Sequence, residues 1–280
     1  MKQSGVEMTN TISIVIPLYN QLAYTRGCLE SLATTIPSNT EVVVVDNASS
    51  DGTAEYLKTI ENVVIISNAV NRGFAGACNQ GIQAATGEWI VVMNNDVILS
   101  SGWLEGMLLA AGARQLDMVS PAIREGALNY PFGPYAAELT GRMKHVVRLG
   151  QVNGICFMAH RRVFETIGVF DENFHIGQYE DKDLFLRARK AGFRLGTVGA
   201  AFIHHFGSIT QKSLGVRRQA RDYALANKAY FIRKWKVPWW KRALQRNWDK
   251  LSNLFCCTLE RLQCKHSLVE KFVDGRLRYY

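Results

Sequence analysis

The chain has 280 residues, 48% hydrophobic and 20% charged, which allows one large α/β domain with a sizeable core and excludes global disorder. Its net charge is +9, yet Phe231 to Tyr280 holds twelve Lys/Arg against four Asp/Glu, so eight of the nine charges sit in the last fifty residues. The near-neutral remainder excludes a whole-protein nucleic-acid surface, and no nucleic-acid partner is expected. No apolar run approaches the ~20 residues that cross a bilayer. The polar start MKQSGVEMTN lacks a signal-peptide core, so a cytoplasmic location is expected. Six cysteines fall in no CxxC pattern and read as buried, reduced thiols.

In chain order, the apolar run Ile12–Ile16 reads as a buried strand, followed by a helix over Tyr24–Ala33 and a strand at Glu41–Val45. A helix over Gly52–Ile60, a strand at Val63–Ile66 and a helix over Phe74–Ala85 come next. Trp89–Met93 is a fourth strand and Trp103–Gln115 another helix. Residues 121–150, interrupted by YPFGPY, read as loops and short strands. Helices are expected at Arg161–Ile167 and Asp181–Ala191, a strand at Leu195–Ile203, and a long helix over Arg217–Lys234. A basic tail with Trp235, Trp239, Trp240 and Trp248 follows. The expected division is residues 1–235 as a catalytic domain and 236–280 as a basic, Trp-rich helical extension.

Apolar strands spaced by helices imply a mostly parallel central sheet with helices on both faces, where ligands bind beyond the strands' carboxyl ends. Four polar sets stand there: Pro17 to Asn20, Asp46 to Ser49, Asn68 to Gly73, and Asn94-Asn95-Asp96. Asp46 is placed to accept a hydrogen bond from a pyrimidine imide, while Asp51 and Thr53 equally suit helix capping. Arg72 and Gly73 open a helix whose N-terminus can face an anion, or form a plain turn. Asp96 suits a hard divalent cation shared with phosphate oxygens. Glu180-Asp181-Lys182-Asp183 sets three acids at a helix start, either as dipole partners or with one as general base. Of His204 and His205, alternation along a strand lets only one face the site, as a metal ligand.

The series ISIVIPLYN, VVVVDNASSDGT, NRGFAGACNQG, WIVVMNND, YEDKDLFLRARKAG and IHHFGS resembles the family 2 glycosyltransferases of GT-A fold, in their rhamnosyltransferase-like branch, over residues 11–235. The resemblance implies an inverting transfer from a UDP- or dTDP-sugar to a hydroxyl of a glycan or lipid-linked acceptor, with Mn²⁺ or Mg²⁺. It implies that Pro17, Tyr19 and Asn20 line the nucleoside pocket, that Asp46 reads the pyrimidine, and that Arg72 and Asn79 hold the nucleotide. Asn47, Asn94 and Asn95 join this donor-binding set, with Asn94 standing where many members carry an Asp. Asp96 matches the metal-binding acid, His205 fits the family's H-x-G spacing as its companion, and Asp181 matches the catalytic base beside Glu180. Lys212, Arg217 and Arg218 are candidate diphosphate contacts. The competing readings are a catalytically inactive nucleotide-sugar-binding protein and a nucleotidyltransferase. The latter needs a Gly-rich basic loop where Pro17 to Asn20 stand. Basic residues interleaved with Trp in the tail also suit peripheral contact with an anionic membrane.

Overall fold

The computed structural model describes residues 11–207, 217–236 and 238–280, with the backbone alone for 217–221, 239, 241–243, 245 and 246. The first half alternates β1 (Ile12–Leu18), α1 (Leu22–Ala33), β2 (Glu41–Asp46), α2 (Thr53–Leu57), β3 (Val64–Ser67), α3 (Gly73–Ala84) and β4 (Trp89–Met93). Side chains two apart on a strand share a face, and the two faces fill separate cores. Ile12, Ile14, Ile16 and Leu18 of β1 pack with Cys28, Leu29 and Leu32 of α1 and with Trp103 and Met107 of a later helix. Val15 packs with Ala77, Cys78 and Ile82 of α3 on the other face. Each such buried Val, Ile or Leu contributes about 1.5–3 kcal/mol relative to exposure, so the double-sided pattern commits these segments to the sheet interior.

The second half runs β5 (Val97–Leu99), α4 (Trp103–Arg114), β6 (Met118–Glu125), α5 (Phe132–Met143), β7 (Val147–Leu149), β8 (Cys156–His160), α6 (Arg161–Ile167), α7 (Glu180–Lys190) and β9 (Leu195–His205). It ends with α8 (Arg217–Trp235), α9 (Trp239–Cys264), β10 (Val269–Val273) and β11 (Arg276–Tyr279). The main sheet order is β11-β10-β6-β8-β4-β1-β2-β3. Strands β3, β2, β1 and β4 are parallel, whereas β8 is antiparallel to both β4 and β6. The sheet is therefore mixed around a parallel half.

Two segments differ from the sequence expectation. Residues 132–143 form helix α5 instead of loops and short strands; Phe132, Tyr135, Ala136, Leu139 and Met143 face a third core with Phe202 and Leu268. Pro134 sits in the first turn, where its missing N–H costs no hydrogen bond. Beyond α9 the tail is not helical: β10 pairs in parallel with β6 and turns back into β11. All six cysteines are free thiols, five of them buried.

Strand β9 does the most to shape the site. It runs beside β6 from Leu195 to Val198, then the register shifts, so Pro121 faces Val198 while Ala122 faces Phe202. The re-aimed end, Ile203 to His205, also pairs with β5, setting His205 opposite Val97.

Candidate active site

The ends of β1 and β2 are stitched together. The Asn20 N–H donates to Ser49 Oγ at 2.7 Å, and the Ser50 N–H donates to Asn20 Oδ1 at 2.7 Å. Asn20, Gln21 and Ala48 all take positive φ, conformations that persist where surrounding bonds enforce them. Asp46 is buried at the tip of β2, and its Oδ1 accepts from the Ser49 N–H at 3.0 Å. Asp51 accepts from the N–H groups of Leu22 and Thr53, capping two helices. Pro17 is buried within β1 opposite Val45, and Tyr19 is half-buried just past the strand end.

Three of the candidate donor-binding amides spend their side chains inside the fold. Asn47 Nδ2 donates to Asn71 Oδ1 and the Gly73 carbonyl, and its Oδ1 accepts from Asn68 and the Arg72 N–H. Asn79 is buried; its Oδ1 accepts from the Phe170 N–H, and its Nδ2 donates to the Phe170 carbonyl and Glu172, each at 2.9 Å. Asn95 Nδ2 donates to Thr25 Oγ1 of α1 at 2.9 Å. Asn47, Asn79 and Asn95 thus each make hydrogen bonds that set the surrounding loops and helices. Arg72 stays half-exposed, 3.9 Å from Glu172.

Past β4, Asp96 is buried and its carbonyl accepts from the Phe206 N–H at 3.0 Å. The β5–β9 pairing therefore brings His205 against it, with Nε2 3.3 Å from Asp96 Oδ1. The other ring nitrogen lies 3.6 Å from Glu125 Oε2, and Lys271 of β10 pairs with the same carboxylate. Burial pulls the His205 pKa down, but contact with Asp96 and Glu125 wins and lifts it to about 9. His205 and then Lys271 hold Glu125 at about 2, against its burial. His204 faces elsewhere: its Nδ1 meets the Tyr130 hydroxyl at 2.9 Å, and burial lowers it to about 4. Gly207 takes φ +87°, and a Cβ there would press on Glu125 at 3.1 Å.

This arrangement fits a divalent cation. Both His205 ring nitrogens are buried without a hydrogen bond of ordinary geometry, and they lie in a pocket of negative charge. Glu125 behind the ring stands where a carboxylate would orient the imidazole if it bound a metal. Among the described residues no group of three or more His, Cys, Asp or Glu is arranged to hold a metal. Asp96 and His205 would therefore need diphosphate oxygens and water to complete the shell. Glu125 escaped the sequence reading because it ends strand β6 inside a segment of loops and short strands with no clear period, where no residue was singled out.

The acids of α7 divide by role. Asp183 is fully buried, paired with Arg187 at 2.8 Å and accepting from Trp235 Nε1 at 2.9 Å, so it ties α7 to α8. Glu180 is buried with Oε2 unpartnered, and burial followed by the neighbouring Asp181 charge pushes it up to about 7. Burial also raises the Asp181 carboxyl above its ordinary value. Asp181 packs against Gly154, where a Cβ would lie 2.6 Å from its Oδ2. One residue on, the Ile155 carbonyl accepts from the Asn94 N–H at 2.8 Å. Gly154-Ile155 thus joins the acid at the start of α7 to the end of β4.

The turn entering α7 is strained: Ile176, Gln178 and Tyr179 all have positive φ. Buried Asn227 of α8 holds it, accepting from the His175 N–H and donating to the carbonyls of His175, Gly177 and Gln178. The sequence reading did not single out this residue. Of the basic candidates, Lys212 lies outside the described residues, and Arg217 and Arg218 are described only as helical backbone.

Residues 13–168 match the profile of Glycosyl transferase family 2. The chain belongs to that family. It is 26% identical to the N-acetylglucosaminyl-diphospho-decaprenol L-rhamnosyltransferase of Mycobacterium tuberculosis over 85% of this chain and 89% of that protein. It is 33% identical to the EpsH protein of Bacillus subtilis over 37% of this chain, and spans less than a third of that relative (31%). Among solved structures it resembles GalNAc-T7 with UDP, GalNAc and Mn²⁺, at TM-score 0.58 and 18% identity, covering 71% of this chain and 44% of that one. The fold is GT-A.

Burial of Glu180 links folding stability to pH. Its folded pKa of about 7 stands above its ordinary 4.5, so the folded state binds the proton more tightly. Stability is therefore highest below pH 4.5 as far as this group is concerned, falls as pH rises through 4.5–7, and stays low above. Glu180→Gln should recover on the order of 2–3 kcal/mol at pH 8, raising the melting temperature by about 5 °C or more, with little change at pH 4.5. Calorimetry of the two proteins at both pH values checks this.

Proposed function

We propose that the chain moves a sugar from a UDP- or dTDP-sugar to a hydroxyl of a glycan or lipid-linked acceptor, with inversion, in the assembly of cell-surface polysaccharide. The observation that supports this reading is the Gly154-Ile155 bridge: Gly154 touches the Asp181 carboxylate and Ile155 is bonded to Asn94, two residues before Asp96. A base at that place can take the acceptor proton while the donor lies across the strand ends.

In the proposed step, the acceptor oxygen attacks the anomeric carbon as its proton passes to Asp181. The bond to the nucleoside diphosphate breaks on the opposite face, and the diphosphate leaves with the bonding electrons. Glu180, its carboxyl pushed up to about 7, carries less negative charge beside the base than an ordinary glutamate would. Asp46 and the stitched turns at Asn20 and Ser49 receive the nucleoside, and Arg72 lies toward the diphosphate. A divalent cation on Asp96 and His205 would neutralise the charge that builds on the departing diphosphate. The rhamnosyltransferase relative, named for a diphospho-decaprenol acceptor, and the UDP and Mn²⁺ of GalNAc-T7 support these choices of acceptor, donor and metal.

The test is a panel of UDP-, dTDP- and GDP-sugars with Mn²⁺, read by thermal shift and by nucleoside diphosphate released to lipid-linked and free glycan acceptors. Stabilisation by UDP- or dTDP-sugars, with acceptor-dependent release, is the expected result. Stabilisation without release from any donor–acceptor pair would favour a binding protein and overturn the transfer.

A further inference from the structure

Helix α9 has two unlike sides. Cys257, Glu260 and Cys264 are buried against the domain, where Arg148 pairs with Glu260 at 2.7 Å and Ser267 hydrogen-bonds both. On the opposite side Leu244, Trp248, Leu251, Phe255 and Leu262 recur at spacings that keep one helical face. They are 64%, 72%, 65%, 66% and 77% exposed. Leu254 and Leu259 flank the stripe, which follows most of a helix about 39 Å long. Scattered exposed leucines are ordinary, but a continuous stripe of this size marks a surface that something covers.

We propose that α9 lies in the plane of an anionic lipid bilayer, its apolar stripe among the acyl chains and its flanks at the headgroups. Charge decides against a second copy of the chain as occupant. The last fifty residues carry eight net positive charges, which repel their own copy and attract anionic headgroups. Trp248 in the middle of the stripe suits the interfacial depth. No described helix is long and apolar enough to cross a membrane, so α9 lies on the bilayer and does not span it.

The helix sits close to the acceptor side. Gln151 meets Asn253 of α9 at 3.4 Å, and Gly154, which touches Asp181, is three residues further on. Three residues reach at most about 11 Å. A bilayer under α9 would therefore bring a lipid-borne hydroxyl near Asp181; this last consequence rests on the proposed transfer, whereas membrane binding itself does not.

The experiment is co-sedimentation of the full chain with phosphatidylcholine vesicles, and with vesicles containing roughly one-third phosphatidylglycerol, at low and high salt. The variant is Leu251→Glu with Phe255→Glu; Leu262→Glu, at the most exposed position, serves if the double variant does not fold. Binding to the anionic vesicles, weakened by salt and more than about tenfold weaker in the variant, is expected. The variant should keep its melting temperature and its nucleoside diphosphate release with a water-soluble acceptor. No vesicle binding, or equal binding by the variant, overturns the proposal. So does a dimer in sedimentation equilibrium that the variant splits without any vesicle binding, which would assign the stripe to a second copy. If sugar transfer fails with every donor, the vesicle result still stands by itself.

Discussion

Asp181→Asn should lower turnover by about 10²–10⁴-fold while leaving donor affinity within a few-fold of the parent. The substitution keeps shape and removes the proton acceptor. Asp181 Oδ1 accepts from the Lys182 N–H at 2.7 Å, a bond the Asn carbonyl can preserve, so the start of α7 stays in place. Burial raises the carboxyl, so the parent's activity should fall on the acid side above the pH at which an ordinary aspartate would protonate. The variant's residual activity should lack that limb. Initial rates of nucleoside diphosphate release from pH 4 to 9, with donor titrations by calorimetry, read both quantities. Full turnover in the variant would remove Asp181 from the role of base.

Gly154→Ala should be nearly as damaging although it replaces no charged residue. A Cβ at this position would meet Oδ2, Cβ and Cγ of Asp181 at 2.6, 2.9 and 3.0 Å. Because Asp181 Cβ is among them, a flexible tip cannot swing aside to relieve the clash; the whole side chain or the backbone has to move. Neighbouring positions leave little room, since Asn153 Oδ1 accepts from the N–H groups of Ile155 and Cys156, and Ile155 is bonded to Asn94. A displacement of about 1 Å at a reacting group costs on the order of 10²-fold in rate, and that loss is expected in kcat more than in KM. Gly141→Ala is the control: its new Cβ meets nothing within 4 Å, so activity should be unchanged and stability equal or slightly higher. Equal kcat for Gly154→Ala and the parent would show that the carboxylate needs no such seat.

The parallel half of the fold was readable because both faces of its strands are buried. Runs such as EVVVV and WIVVM carry that condition directly, and β4 falls at Trp89–Met93 as read. Helix α5 was hidden by Gly133 and Pro134, although its apolar spacing of three, four and seven residues was present beneath them. The final hairpin had a local sign as well: Asp274-Gly275, with φ of 51° and 73°, is the turn pair that favours a two-residue connection between strands. The reading passed over it by extending the helix through the basic tail.

The site was legible as chemistry at element ends and not as neighbours in space. Asp96 and His205 are more than a hundred positions apart, and their meeting depends on the register shift in β9 and its pairing with β5. No local pattern encodes that. Glu125, Gly154 and Asn227 were missed for a related reason: each acts by what it packs against, on another element. Asn47, Asn79 and Asn95 show the converse. A polar residue near the strand ends, or in the helix that follows as Asn79 is, can also serve the fold itself, and its hydrogen-bond partners show that part of its work.

The Lys271–Glu125 pair has a consequence for how the molecule assembles during synthesis. Its members lie 146 positions apart, and β10 beside β6 is among the longest-range pairings in the sheet. Strands β1 to β4 pair with partners close in sequence and can order while later residues are still emerging. The carboxylate behind His205 gains its lysine only when residue 271 has been made and docked. The charge balance around His205 is thus completed only late in synthesis, after the parallel half of the sheet has been made.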